Sequence, residues 1–152
     1  MTAHETAWLA GVLDVCGSWS VALAGGDGTL CSTLRLQVAG SADLIGAIAC
    51  VAEIGTVRSG DKKHHWSVAK SVDLRALILR IQPFSRVRAD LYRRLLDWPI
   101  LSPGERGSRA VQGLRYSIAN DLGLLDPQGH PRDRAQKRRR TVMKIKTLKK
   151  GQ

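Results

Sequence analysis

Asp14 and Cys16 stand two residues apart at the end of the stretch LAGVLDVCG, residues 9–17. A carboxylate at such a place can hold a divalent cation, and a held cation can activate water. A thiol suits that task badly. It is soft and, when protonated, uncharged, whereas magnesium takes hard oxygen ligands. Cys16 as a nucleophile needs a nearby base, and the sequence supplies none. His64 and His65 are adjacent, so on a strand they point to opposite faces and do not easily share one ion. Asp27 lies in the glycine-rich segment Gly25-Gly26-Asp27-Gly28, at a hairpin tip away from Asp14 and Cys16.

The elements that carry these residues are legible in the spacing. Thr2 and Glu5 form a T-x-x-E capping box, so a helix should start near Ala3, run through Leu13 and stop near Gly17. Ala3, Ala7 and Gly11 recur every four residues and form a small face that lets a second helix approach closely. Trp19, Val21 and Leu23 alternate with Ser18, Ser20, Ala22 and Ala24. After a turn at residues 25–28, Leu30, Leu34, Leu36 and Val38 alternate with Cys31, Thr33, Arg35 and Gln37. Ser41 caps a second helix with Leu44, Ile45, Ile48, Val51 and Ile54 inward, and Gly55 ends it. A second hairpin spans residues 56–70 and turns near Gly60-Asp61. Arg58, His65 and Ser67 face outward; Val57, Trp66 and Val68 face inward. Ser71 starts a third helix with Leu74, Leu77, Ile78 and Ile81, and Pro83 interrupts it. A fourth helix is expected over residues 85–98. After Ser102-Pro103-Gly104, the spacing of Val111, Leu114, Ile118 and Leu122 predicts one more helix.

Composition narrows the function classes. The chain has 152 residues, enough for one domain with a real core. No apolar run approaches the roughly 18 residues of a membrane span, so no membrane partner is expected. The N-terminus lacks a basic segment followed by an apolar one, so no secretory signal is expected. Cys16, Cys31 and Cys50 are odd in number and lack CxxC spacing, which argues for reduced thiols in a cytoplasmic setting. The net charge is +11. Residues 1–102 carry 11 Lys/Arg against 9 Asp/Glu, and residues 103–152 carry 13 against 4. That asymmetry points to a polyanion partner, with Arg138, Arg139 and Arg140 at its centre. The expected organisation is a core over 1–101, a helical extension over 102–129 and a basic tail over 130–152, disordered when free.

The stretch LAGVLDVCG resembles the LAGLIDADG motif of homing endonucleases. The match continues through the Gly17-Ser18 exit into a strand, the hairpin ending in Leu36-Gln37-Val38, and Ile54-Gly55. Gln82-Pro83-Phe84-Ser85-Arg86-Val87-Arg88 is similar to the family's QPF-x-x-x-K pattern. Together these cover about residues 6–98. The resemblance implies an α+β fold of order αββαββα with an antiparallel sheet saddle, followed here by a C-terminal helix and basic tail. It also implies two motif helices packed side by side. With only one motif, the second copy must come from another chain, through an interface at Ala7, Ala10 and Gly11. The result is a two-fold homodimer on a pseudo-palindromic double-stranded DNA site.

On that reading Ser20, Ala22, Ala24, Cys31 and Thr33 face DNA, as do Arg35, Gln37, Arg58, His65 and Ser67. Arg35 and Arg58 suit guanine and Gln37 suits adenine. In the family the acid before the last glycine of the motif holds the catalytic metal. Cys16 stands in that place. Asp14 is expected to tend backbone amides, Gly40 departs from a polar position that organises water, and Arg88 matches the basic residue of the catalytic pocket. Mg2+ would be the cofactor of an active enzyme. The readings left open are a DNA-binding protein that has lost cleavage, an endonuclease with an unusual metal site, an RNA-binding splicing factor, and an interaction module without nucleic acid.

Overall fold

The computed structural model describes residues 1–26, 29–61, 63–100 and 109–125, and of residues 23–26 and 29–32 the backbone alone. Helix α1 (Ala3–Cys16) opens on the expected capping box. The Thr2 amide donates to Glu5 Oε2 at 2.6 Å, and the Glu5 amide donates to Thr2 Oγ1 at 3.2 Å. Gly17 ends it, with its amide donating to the Leu13 carbonyl. A Cβ on Gly17 would lie 2.5 Å from the Leu13 carbonyl oxygen and 3.3 Å from Leu36 Cδ1. Gly17→Ala is therefore expected to cost about 1–3 kcal/mol through overpacking against backbone. The measurement is a lower urea midpoint at unchanged m-value.

Strands β1 (Ser18–Gly26) and β2 (Thr29–Gly40) pair antiparallel out to Gly26↔Thr29, so Gly25 and Gly26 belong to the strand and not to the turn. Helix α2 (Ala42–Ala52) follows its Ser41 cap, whose Oγ accepts from the Leu44 amide at 3.3 Å. It ends earlier than Gly55, at Glu53, which adopts the left-handed conformation at φ 57°. Ile54 thus falls outside the helix, and its carbonyl accepts from Trp66 Nε1 at 2.8 Å. Gly55 has its own reason: φ is +95°, and a Cβ there would meet Trp66 Nε1 at 2.7 Å.

Strands β3 (Thr56–Ser59) and β4 (His64–Val68) complete a four-stranded antiparallel sheet of order β1-β2-β4-β3. Its apolar face carries Trp19, Val21, Leu34, Leu36, Val38, Trp66 and Val68 against the helices. Val57 shares that face but is 46% exposed, on the edge strand β3. Helix α3 (Ser71–Ile81) buries Leu74, Leu77, Ile78 and Ile81 as expected. The next segment departs from the expected single helix over 85–98. A 3-10 turn (Gln82–Phe84) and a bend precede helix α4 (Ala89–Leu95). Helix α5 (Arg109–Asp121) forms where the apolar spacing predicts it, with Ile118 and Leu122 packed against the core, but its most buried residues are others. Arg115 and Ala119 are buried, while Leu114 is exposed. Arg115 donates to the Pro99 carbonyl at 2.6 Å and lies over the Trp98 ring, 5.4 Å from its centroid. Ala119 and Leu125 join the same core as α1 and the sheet.

Candidate nucleic-acid interface

Directly opposed residues of an antiparallel sheet share a face. The register runs Ser18↔Gln37, Gln37↔Ser67 and Ser67↔Thr56 across all four strands. A parallel row runs Ala39↔His65 and His65↔Arg58, and a third pairs Ser20 with Arg35. Ala22↔Thr33 and Ala24↔Cys31 continue the same face toward the hairpin tip. The ten sheet positions expected to face a ligand therefore lie on one surface, opposite the helices. The side chains of Ala24 and Cys31 lie outside the described residues, as do Arg138, Arg139 and Arg140.

Five of the ten gather in one groove. Arg35, Gln37, Arg58, His65 and Ser67 line a concavity of about 590 Å³. Gln37 Nε2 and His65 Nδ1 are 3.0 Å apart within it. Arg35 Nε is buried and, among the described residues, has no acceptor, so the groove holds a cationic donor without a partner there. Sequence reading missed Thr56, Lys70, Glu53 and Asp73, which line the same groove. Thr56 has the same strand parity as Arg58 and was there to be found. Lys70, Glu53 and Asp73 sit outside the strands, and only the chain crossings beside β3 and β4 bring them in. His64 faces the other way and pairs with Ser59 Oγ at 3.1 Å.

A second cluster forms where α1 ends. The Asp14 carboxylate is only 7% exposed and is surrounded by donors. Ser85 Oγ donates to it at 2.7 Å, and the Arg86 and Val87 amides donate at 3.0 Å each. Burial by itself would raise the Asp14 pKa. The Val87 amide, the Ser85 hydroxyl, the Arg86 amide and, behind them, the Tyr92 hydroxyl outweigh it and hold the carboxyl below the ordinary aspartate range. The Tyr92 hydroxyl is buried near this carboxylate without full hydrogen-bond geometry. Burial and the neighbouring negative charge push its pKa far above the usual tyrosine value. Arg88 closes the cluster: its guanidinium donates to the Gly17 carbonyl, one residue past Cys16. Asp14 thus tends backbone amides, as expected, and Arg88 stands at the helix end. Ser85, which no spacing singled out, joins the two.

Cys16 itself is exposed, with a free thiol. The donor set here does not fit Mg2+. Asp14 spends its oxygens on Ser85, Arg86 and Val87, and the residue nearest the helix end is a soft thiol. Among the described residues, no three His, Cys, Asp or Glu side chains gather as a metal site.

The outer side of α1 presents Ala7 and Gly11, both exposed, together with Trp8 (38%) and Val15 (78%). A Cβ on Gly11 would meet nothing within 4 Å. Ala10 corrects the expected interface. It is fully buried in the chain's own core and cannot contribute to a surface on this helix.

No protein-family model matches the sequence, and neither does any curated protein. Solved structures do match. The homing endonuclease I-CvuI, in complex with the I-CreI target, aligns with a TM-score of 0.69 at 19% identity, over 83% of this chain and 86% of that one. The archaeal intron-encoded homing endonuclease I-Vdi141I, complexed with DNA, aligns at 0.66 and 13% identity over 86% of each chain. The I-SmaMI LAGLIDADG homing endonuclease, bound to cleaved DNA, aligns at 0.62 and 14% identity, over 74% of this chain and 42% of that one. The chain has the LAGLIDADG homing-endonuclease fold. Within that fold, α1 carries the stretch LAGVLDVCG, the groove lies on the open face of the sheet, and Cys16 occupies the last position of the helix.

Proposed function

We propose that two copies of this chain pair through α1 and read a pseudo-palindromic DNA duplex with their open sheet faces, without cutting it. The observation that carries this reading is the groove that collects Arg35, Gln37, Arg58, His65 and Ser67 on one polar face. Two-stranded ribbons of this kind fit the major groove, where arginine and glutamine have bidentate partners. The loss of cleavage rests on Cys16 and on an Asp14 already committed to the bend after Phe84. Reduced thiols and an intracellular setting belong to the same reading.

The experiment is selection from a randomised duplex library at raised salt. Recovery of one site with two-fold symmetry supports the reading. Recovery of nothing but salt-sensitive bulk binding would sink it, and preference for a structured RNA would move the function to RNA.

Two further outcomes are expected. Deleting residues 132–152 removes 10 Lys/Arg and 1 Asp. It should weaken binding to all duplexes alike and flatten the dependence on salt, because phosphate contacts carry no sequence information. A lost site preference, measured by the same selection, would contradict that division. Gly11→Leu should leave the monomer folded, since its Cβ faces open space. It should also shift the dimer to monomer in sedimentation, because the added side chain fills the seam. An unchanged dimer mass would exclude α1 as the interface.

A further inference from the structure

Gln37 and His65 meet across β2 and β4, amide Nε2 to ring Nδ1 at 3.0 Å. An amide nitrogen only donates, so Nδ1 accepts and the ring proton stands on Nε2. Gln37 is left with its carbonyl oxygen and one free N–H. That acceptor–donor pair matches N6–H and N7 of adenine. If residue 65 donated, the amide would turn its oxygen inward. Two N–H groups would then face outward, the pattern for O6 and N7 of guanine. Among the described residues no other side chain hydrogen-bonds to this amide or this ring, so the orientation rests on His65 alone. The charged groups around the pair are Arg58, opposite His65 on β3; Arg35, two residues before Gln37 on β2; and Lys70, Glu53 and Asp73 at the groove wall.

We infer that His65 is a positioning residue that sets which base Gln37 reads, holding its amide in the adenine-reading orientation at one base pair of each half-site. The inference rests on the DNA-reading function proposed above. It predicts a change in preference at a single position and not a general loss of affinity.

The test is site selection with the full chain, comparing the unmodified protein, His65→Asp (acceptor only) and His65→Lys (donor only), each also with Gln37→Ala. Far-UV circular dichroism confirms folding. The unmodified protein and His65→Asp should select adenine at one symmetric pair of positions. His65→Lys should favour guanine there by roughly tenfold, with every other position unchanged. With Gln37→Ala the preference should vanish, and His65→Lys should add nothing. An affinity loss in His65→Lys with unchanged base preference, or a preference change that survives Gln37→Ala, overturns the inference while DNA reading stands. An unmodified protein with no preferred site overturns both.

Discussion

Replacing Cys16 by Asp is expected to produce Mg2+-dependent cutting of the selected duplex, on the order of 10²-fold or more above the unmodified chain. The place is prepared for the change. Residue 16 ends α1 with its side chain exposed, and the Arg88 guanidinium stands one residue away on the Gly17 carbonyl. A carboxylate there opposes the helix dipole by about 0.3–1 kcal/mol, too little to unfold a domain of ordinary stability. The same charge supplies the hard oxygen ligand that the thiol lacks. Cleavage is measured on the selected duplex with Mg2+ and with chelator. Cutting by the unmodified chain would mean that the metal is held by other ligands, and the proposed loss of activity would fall. Cutting by neither protein would leave binding as the function and point to Gly40 as a second departure from the catalytic pattern.

Asp14→Ala is expected to destabilise the fold by about 3–5 kcal/mol. Three donors, Ser85 Oγ and the Arg86 and Val87 amides, lose their acceptor together. Each buried donor left unmade costs roughly 1–3 kcal/mol, with water recovering part of it at the two exposed residues. The bend that connects the 3-10 turn to α4 would loosen, and Arg88 with it. The pH dependence carries the same signature. Because the folded pKa of Asp14 lies below its unfolded value, the stabilisation is complete above the unfolded carboxylate value and is lost as pH falls through the folded one. Urea titrations of both proteins across the acid range should therefore converge as pH drops. A constant gap at every pH would show that Asp14 acts through packing and not through its charge.

Much of the sheet is legible in the sequence. The alternation in β1, β2 and β4 assigns each side chain to one of two faces, and a strict period of two leaves little freedom once one face is apolar. The side of the sheet on which each of the ten positions lies followed from parity, and the register puts all ten on one surface. The capping box and the glycine at residue 17 set the limits of α1 for equally local reasons. Local rules failed where a distant partner decides. Val57 has inward parity but stays half exposed on the edge strand. Arg115 is polar, yet it is buried because the Pro99 carbonyl and the Trp98 ring receive it. Ala10 belongs to the small-residue helix but faces the chain's own core.

What the sequence by itself determined is the order of elements, the polar face of the sheet and a thiol at the end of the first helix, because each depends on residue type and short-range period. What only the tertiary structure decided is which groups meet. Asp14 is joined to Ser85 across 71 residues of chain and Gln37 to His65 across 28. Hydrogen bonds of that separation leave no periodic trace, since they arise from how packed layers bring loops and strands together, and their partners become readable only once the core has closed.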